Sequence, residues 1–503
     1  MPNVITRRSF LSASSRATVL AALASLTSIP PFLRRALAEG AVGMNNKKVI
    51  FMFLRGGNDG INNVVPINDP AYATARPSIG LTKDPDPNVL PLYDGSGGQA
   101  LAVGAGYAFG IPLGNGFAAL HPALYNLVPV FNDGDLALIH RVAYPRQSRS
   151  HFDSEKYWEN GVPYANALRE GIFYRTMMES GLAGSRALLA VSVQSNMPLL
   201  IRGEFPMTNL SSLNRYNVLG VYGTDRSKHT NALAQVSGTL FPAKDNRTLV
   251  YGLNKQFNET LNIFTDPVFS NNNYFDPVST QPLFPTNEQL YTRLKTAAQI
   301  LNHTNAIVTG TEMGGFDTHT NQGGATGSHA NLLRRVGWGI YALQQYFKRY
   351  GKGGTEPAPG AQTSWDDVVV VTLSEFGRTS VENESDGTDH AEASVMYVAG
   401  GAVKGGVYCC DPNANSVTGV PNWTPGALAE GGSMFGASQR YLKRTVDFRS
   451  VLGEIIRDHL GATQSQLERI IPAYASEEID YLRYGVSTVS GVSTPIVGEL
   501  GII

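Results

Sequence analysis

The chain has 503 residues and a formal net charge of −1, which excludes a strong overall field that would draw it to nucleic acid or to an anionic membrane. Its two cysteines, Cys409 and Cys410, are neighbours, so a disulfide framework is excluded. We predict free thiols, with a bond between the two as the alternative. A hydrophobic content of 42% with 53 glycines indicates a turn-rich globular chain of one large domain or two.

The first residues have the order of an export signal. The paired arginines Arg7 and Arg8 precede an apolar stretch from Ala17 to about Pro31, and Ala36-Leu37-Ala38 fits a small-x-small cleavage site. We predict a twin-arginine signal peptide over residues 1–38, with an ordinary secretory signal as the alternative. The expected partner is the twin-arginine translocase during export, and the expected location is periplasmic or extracellular. The apolar stretch is shorter than the roughly 20 residues that span a bilayer, so no stable membrane span is expected after processing.

Strand and helix patterns alternate through the rest of the chain, which predicts a three-layer, doubly wound α/β fold with a mostly parallel sheet. We expect this domain to cover residues 47–461, with 205–285 as a possible insertion and 462–503 as a C-terminal extension. The predicted elements are strand 48–54, a Gly- and Pro-rich excursion over 78–118, helix 121–131, strand 136–142, helix 150–160, strands 188–193 and 199–202, helix 287–303, strand 306–311, helix 328–349, strands 368–373 and 395–399, and helix 448–460.

Polar motifs follow several of these strands or begin a helix. Because the carboxyl ends of parallel strands share one edge of a sheet, the motifs are expected to converge there. Carboxylates and imidazoles bind divalent cations, and the residue types allow zinc, manganese, calcium or magnesium. The motifs contain Asp59 in a Gly-rich loop, Ser150 and His151 at a helix start, Asp317 and His319, Glu375 and Arg378, and Asp389 and His390.

Each motif also has a structural interpretation. Asp59 is typical of a turn, and Ser150 is typical of a helix N-cap. Glu375 and Arg378 suit an ion pair, and the pair Asp389-His390 suits a loop cap. Only the joint position of the motifs at one sheet edge favours a functional site. In such a site Ser150 would lie near helix amides that favour an anion, and Arg149 or Arg378 would hold phosphate or sulfate oxygens.

The same segments resemble the domain of unknown function 1501 family, a group of exported bacterial proteins. The resemblance extends from about Lys47 to Gly461. It is carried by Phe53-Leu54-Arg55-Gly56-Gly57-Asn58-Asp59-Gly60, Arg149-Ser150-His151-Phe152-Asp153, Gly315-Phe316-Asp317-Thr318-His319, Ser374-Glu375-Phe376-Gly377-Arg378-Thr379, Gly387-Thr388-Asp389-His390 and Asp447-Phe448-Arg449-Ser450.

That family is similar to the alkaline phosphatase and sulfatase superfamily, which implies an alkaline phosphatase-like fold. It also implies a metal-dependent hydrolase of small anionic phosphate or sulfate esters, without a nucleic-acid partner. By this resemblance Ser150 is the nucleophile, with His151 and Arg378 as further catalytic residues. The implied metal ligands are Asp59, Asp317, His319, Glu375, Asp389 and His390.

One position departs from the superfamily pattern. Phe376 stands where a ligand histidine is expected, and a phenyl ring cannot coordinate a metal. A second metal would then need a ligand from His151 or Asp389, so one metal, an altered pair or no metal all stay open. The alternative function is a noncatalytic binding or assembly protein of the cell envelope on a degenerate scaffold.

Overall fold

The computed structural model describes most of the chain after its first 41 residues. The predicted signal peptide, residues 1–38, lies outside the described residues. So do parts of the two predicted excursions, 78–118 and 205–285. The described residues are 42–43, 45–85, 107–182, 186–213, 216, 228, 256–412, 423, 426, 428, 440–472, 474, 481–485 and 496–503.

A nine-stranded sheet forms the centre of the described part of the chain. Its strands are β1 (Lys48–Leu54), β5 (Leu136–Ala143), β6 (Ala190–Val193), β7 (Thr208–Leu210), β8 (Val308–Met313), β9 (Val368–Leu373), β10 (Ser394–Ala399), β11 (Gly406–Tyr408) and β12 (Val446–Asp447). The spatial order is β11-β5-β10-β9-β1-β8-β6-β7, and β12 also pairs with β5. A separate small antiparallel sheet holds β2 (Val64–Val65), β4 (Ala119–Leu120) and β3 (Ile111–Pro112).

All but one of the strands in the large sheet run in the same direction. β1 is parallel to both of its neighbours, β8 and β9. β10 is antiparallel to β9 and to β5. The segment that enters β10 therefore lies at the same edge as the carboxyl ends of β1, β8 and β9. The prediction of an α/β fold with a mostly parallel sheet is confirmed.

Helices pack on both faces of this sheet, because successive residues of a buried strand point to opposite faces. In β1, Ile50 and Met52 belong to one apolar cluster, and Phe51 and Phe53 belong to the other. The α-helices are α1 (Tyr72–Ala75), α2 (Val128–Asn132), α3 (His151–Asn160), α4 (Ile172–Glu179), α5 (Gln289–His303), α6 (Ser328–Tyr350), α7 (Phe448–Glu454), α8 (Gln464–Ile470) and α9 (Tyr481–Tyr484). Shorter turns of 3₁₀ helix cover Gly60–Asn62, Pro122–Leu127, Leu199–Ile201, Pro267–Ser270 and Trp365–Asp367, and Ile455–His459 forms a π-helix.

The prediction of a strand over residues 199–202 is wrong. Leu199–Ile201 is a 3₁₀ helix that begins after Pro198. The Glu159 carboxylate accepts a hydrogen bond from the backbone N–H of Leu200 at 3.0 Å. The backbone N–H of Leu200 therefore donates to the Glu159 side chain instead of to a neighbouring strand. The predicted helix over 121–131 is similarly divided between a 3₁₀ turn, Pro122–Leu127, and α2.

The described residues at the end of the predicted C-terminal extension pack into the domain. Val497 and Ile502 are buried in the same cluster as Phe51. The Glu454 carboxylate accepts hydrogen bonds from the backbone N–H groups of Leu500 and Ile503. This segment therefore contributes to the core. Among the described residues, no helix combines the length and the apolar character needed to cross a membrane.

Candidate functional site

The loop after β1 makes room for the loops beside it. Gly56 and Gly57 have φ values of 118° and 77°, which only glycine adopts readily. A Cβ atom on Gly56 would lie 2.4 Å from the backbone nitrogen of Asp317, and one on Gly57 would lie 2.4 Å from the ring of Phe376. The loops that follow β1, β8 and β9 therefore touch, as the sequence pattern predicts for a shared sheet edge.

Two imidazoles and one carboxylate form a triangle at this edge. The Nε2 atoms of His319 and His390 are 3.0 Å apart. Each of them is 3.1 Å from Oδ1 of Asp317. His319 and Asp317 follow β8, while His390 lies on the segment that enters the antiparallel strand β10. The reversed direction of β10 is what brings His390 to the other two.

The outer nitrogen of each imidazole faces an oxygen atom. His390 Nδ1 lies 2.9 Å from the backbone carbonyl of Arg149, and His319 Nδ1 lies 3.2 Å from Oδ1 of Asp389. A carbonyl only accepts hydrogen bonds, so Nδ1 of His390 carries the proton, and the carboxylate selects the same tautomer of His319. Burial lowers the pKa of His390, which favours its neutral form. In these tautomers the Nε2 atoms of both rings present a lone pair to Asp317.

The triangle therefore contains three acceptors within 3.1 Å of one another. Such an arrangement is repulsive unless a proton or a metal cation lies among them. In a tetrahedral zinc site with bonds near 2.1 Å, ligand atoms are about 3.4 Å apart, so only a small adjustment separates this triangle from a metal site. Two histidines, a carboxylate and an open position are also the usual ligand set of a catalytic zinc. The residues present fit a divalent metal.

A third histidine lies at the rim of the triangle. His151, the first residue of α3, has its Nε2 atom 3.6 Å from Oδ2 of Asp317. Its Nδ1 atom lies 2.8 Å from Oε1 of Glu375, which is fully buried and also accepts from the backbone N–H of Gly56 at 2.7 Å. The hydrogen bond with Glu375 raises the pKa of His151. One potential ligand atom from each of His151, Asp317 and His390 lies within 4.8 Å of the other two, so His151 is a further candidate ligand.

Two of the predicted ligands, Glu375 and Asp389, contact histidines in this structure. Glu375 holds His151, and Asp389 holds His319. The second oxygen of Asp389 pairs with Arg440 at 2.9 Å. Burial opposes ionisation of Asp389, but hydrogen bonds from Asn383 and His319 lower its pKa. In this structure Glu375 and Asp389 therefore contact the imidazoles of His151 and His319, and their role as metal ligands stays a prediction.

Replacing Asp389 with asparagine should weaken metal binding through His319. Asparagine keeps the size of the side chain but removes the charge that makes the imidazole a better ligand. Loss of such an outer carboxylate typically lowers metal affinity by about 10–100-fold. Zinc titration against a competing chelator measures the change. Glu356→Gln, an exposed carboxylate paired with Arg349, is the matched control; equal affinities for Asp389→Asn and wild type would contradict this role.

Asp59 does not join the triangle. It is fully buried, and its two oxygens accept from Arg76 at 2.6 and 2.9 Å. Gln322 donates a further bond at 2.6 Å. Burial opposes ionisation of Asp59, but the Arg76 guanidinium outweighs it and the pKa is lowered. The prediction of Asp59 as a metal ligand does not fit this placement, because the carboxylate is already neutralised by a buried ion pair.

Replacing Asp59 with asparagine should destabilise the fold, because it leaves the Arg76 charge buried without its partner. Removing one member of a buried pair typically costs about 3–5 kcal/mol. Since folding lowers the pKa of Asp59 below 3.8, its stabilisation is fully present above that pH and is lost as the pH falls further. Urea unfolding should therefore show a large difference between wild type and variant at pH 7 and a smaller one near pH 3.

Asp458→Asn is the control for this measurement, since Asp458 forms an exposed pair with Arg457. Such a pair contributes about 1 kcal/mol or less. A loss of stability in Asp59→Asn no larger than in this control would contradict the assignment of Asp59 to a structural ion pair.

Ser150 lies between two residues that contact the triangle. It is exposed and occupies the N-cap position of α3. Ser150 is therefore at the N-cap position that the structural interpretation expects, but its hydroxyl makes no capping hydrogen bond. The carbonyl of Arg149 meets His390, and His151 meets Glu375. The positive end of the α3 dipole and its free N–H groups favour an anion at this position.

Arg378 is fully engaged by the protein. Its Nε atom donates to the carbonyl of Gly57 at 2.7 Å, and Nη1 donates to the carbonyl of Thr388 at 3.0 Å. Nη2 donates to Oδ1 of Asp317 at 2.5 Å and to the carbonyl of Gly56. Burial opposes ionisation of Asp317, but these contacts with Arg378 lower its pKa to about 2. The prediction that Arg378 holds the transferred group is corrected, because its donors already fix Asp317 and the loop after β1.

Arg149 has the exposure that Arg378 lacks. Its side chain is exposed, and the guanidinium lies 4.2 Å from the centre of the Tyr441 ring. Of the two arginines that the sequence offers for an oxyanion, Arg149 is the one that solvent reaches. Sequence reasoning missed Arg76, Asn383 and Arg440, because no spacing links them to the motifs that they contact.

One comparison with known proteins gives a match. Residues 297–418 match the family model described as "Protein of unknown function (DUF1501)". This segment contains Asp317, His319 and His390 of the triangle. No curated protein and no solved structure matches the chain. The match covers less than half of the chain, and it shows a similarity to the DUF1501 family over residues 297–418.

Proposed function

We propose that the chain is an exported, metal-dependent hydrolase of phosphate or sulfate esters with an alkaline phosphatase-like fold. The observation that carries this proposal is the triangle of Asp317, His319 and His390, whose three acceptor atoms lie within 3.1 Å of one another. We assign the divalent metal to these three residues. When bound, such a metal stabilises negative charge on an ester oxygen and lowers the pKa of a coordinated hydroxyl group.

The charge of the site suits an anionic substrate. Three carboxylates lie in or beside the triangle, on Asp317, Asp389 and Glu375, against the two guanidinium groups of Arg378 and Arg440. With neutral histidines the group has a net charge of −1, so a divalent cation changes it to +1. The amide groups at the start of α3 add to the positive potential. A bound divalent cation would therefore strengthen the attraction of the site for phosphate and sulfate esters.

Ser150 is the proposed nucleophile, and His151 is its acid–base partner. Glu375 holds Nδ1 of His151, so its Nε2 is oriented towards the triangle, as in other nucleophile–histidine–carboxylate arrangements. The Ser150 oxygen forms a bond to phosphorus or sulfur, and the bond to the departing alcohol breaks. His151 takes the serine proton and returns it to the alcohol. Water then hydrolyses the serine ester and releases phosphate or sulfate.

The test is metal content by mass spectrometry, followed by hydrolysis of a panel of aryl phosphate and sulfate esters. We expect about one metal per chain, with activity that is lost on chelation and restored by adding metal back. A metal-loaded protein that hydrolyses none of these esters would contradict the hydrolase.

A metal-loaded protein that hydrolyses no ester would favour a noncatalytic envelope binding or assembly protein. Phe376 is the observation behind this alternative. Its buried ring lies 4.8 Å from the ring of His151 and 4.6 Å from that of His390, between centroids. By the superfamily resemblance, Phe376 stands where a second metal would need a histidine ligand. A bound metal without turnover is therefore the result that this alternative predicts.

Export is proposed from the N-terminal pattern alone. The paired arginines Arg7 and Arg8 should be required, because the twin-arginine translocase recognises them. Replacing both with lysine keeps the charge and should retain the chain in the cytoplasm. Cell fractionation measures this. Unchanged export of the Arg7→Lys/Arg8→Lys variant would contradict the twin-arginine route.

A further inference from the structure

A polar cavity lies at the same edge of the sheet, beyond the outer strands. Its volume is about 450 Å³. It is lined by Val193 at the end of β6, by Ser211, Ser212 and Leu213 after β7, and by residues of α5. Since β6 and β7 are parallel to β8, the cavity opens at the edge where parallel sheets place ligands. None of the residues assigned to the triangle lines it.

Two cationic side chains from α5, Arg293 and Lys295, line the cavity, and the Glu312 carboxylate that acts on Arg293 is already paired with Arg55. None of the described residues that line the cavity carries a carboxylate. Among the described residues, neither cation forms an ion pair with a carboxylate. Lys295 donates to the Asn272 amide oxygen, and Arg293 makes only two long bonds of 3.4 Å, to the Glu312 carbonyl and the Ser195 hydroxyl.

One N–H group of Arg293 also has no hydrogen-bond acceptor among the described residues. Its Nε atom is buried without a hydrogen-bond partner among the described residues. A buried guanidinium nitrogen without an acceptor is costly, and an anion that supplies one relieves the cost. Burial lowers the pKa of both Arg293 and Lys295, so the surroundings of both charges are partly desolvated. A negative charge in the cavity would stabilise both cations.

The remaining residues that line the cavity are partly apolar and partly polar. Leu213, Phe264 and Phe269 give an apolar wall, in which the two phenyl rings pack edge to face with centroids 5.2 Å apart. The lining also contains five hydroxyl residues, Thr286, Thr292, Thr296, Ser211 and Ser212. The hydroxyls of Thr292 and Thr296 donate to carbonyls of α5 and can still accept hydrogen bonds. A ligand that fits both parts of the lining has a carbon skeleton with hydroxyl groups on it.

We infer that this cavity binds a phosphate or sulfate group attached to a hydroxylated carbon skeleton, with Arg293 and Lys295 holding the anion. A sugar phosphate is the simplest molecule of this class. The inference does not depend on the proposed hydrolase, because it rests on residues outside the triangle. It adds to the chain a second anion site at the same sheet edge.

Calorimetric titration of the full chain with glucose 6-phosphate and glucose 6-sulfate tests the inference, with neutral glucose as the third probe. Wild type should bind both anionic sugars and not glucose. The double variant Arg293→Gln/Lys295→Gln should bind them about tenfold or more weakly, the change expected for losing charge-assisted hydrogen bonds. Lys352→Gln, which removes an exposed charge elsewhere, should bind within twofold of wild type.

The variant His319→Ala separates the two sites. It should keep sugar phosphate binding even though it removes a side chain of the triangle. Loss of binding in His319→Ala with full binding in the double variant would place the anion at the triangle and overturn the inference. Equal binding of glucose and glucose 6-phosphate, or no binding to wild type, would overturn it as well. The single variant Lys295→Gln repeats the test if the double variant is unstable.

Discussion

Replacing Ser150 with alanine is expected to lower ester hydrolysis by at least about 1000-fold, because removal of an attacking side chain leaves only the contribution of the surrounding groups. The fold should be unaffected. Ser150 is exposed, and its hydroxyl makes no capping bond to α3. Metal content should also stay the same, since Ser150 is not one of the proposed ligands. Steady-state hydrolysis of an aryl ester, with metal analysis of the same sample, measures both.

The control is Ser148→Ala. The Ser148 hydroxyl accepts a hydrogen bond from the backbone N–H of Ser150 at 3.2 Å, so this variant removes a nearby hydroxyl and one contact of the same loop. We expect less than a tenfold loss of activity, in line with a single hydrogen bond of about 1 kcal/mol. Full activity in Ser150→Ala would remove this residue from the mechanism, and equal losses in both variants would indicate that loop order alone matters.

The second large effect is expected at the histidines, where two substitutions should give different results. Replacing His319 with alanine removes a proposed ligand. Metal affinity should fall by more than the roughly 100-fold cost of losing an outer partner, and hydrolysis should be lost with it. Replacing His151 with alanine should abolish hydrolysis but keep the metal, because the proposal assigns the metal to Asp317, His319 and His390 and gives His151 the role of acid–base partner.

Zinc titration and hydrolysis assays on both variants give the comparison, and His303→Ala at the end of α5 is the control for the loss of any histidine. Loss of metal in His151→Ala together with retention in His319→Ala would reverse the assigned roles. Retention of metal in both variants would mean that neither imidazole is required for binding.

The fold was largely predictable because strand signals are local. Residues 48–54 form an apolar run closed by two glycines, and they form β1 with the same bounds. Residues 368–373 form β9 as predicted. The segment 199–202 was mistaken for a strand because its apolar side chains are as compatible with a buried 3₁₀ turn. What decides between them is the Glu159 carboxylate, 41 residues away in sequence from Leu200.

The sequence predicts which motifs come together at the site. It does not predict which of their side chains face a metal and which contact the imidazoles. The motifs with Asp317, His319 and His390 do meet at one sheet edge. Residue type does not distinguish a carboxylate that faces a metal from one that holds an imidazole, so Glu375 and Asp389 were placed with the ligands. Asp59 was misplaced for a different reason: its partner Arg76 is 17 residues farther along the chain, and no pattern in the sequence marks it.

X-ray absorption at the zinc edge of the zinc-loaded protein is the most direct test of the proposed metal centre. The assignment of Asp317, His319 and His390 predicts one zinc per chain, with imidazole scattering from two histidines and oxygen neighbours at about 2.0 Å. The same sample of His319→Ala should show the imidazole signal reduced or no bound zinc. A spectrum with oxygen neighbours alone, or a wild-type protein that takes up no zinc, would show that the acceptors of the triangle share a proton instead of a metal.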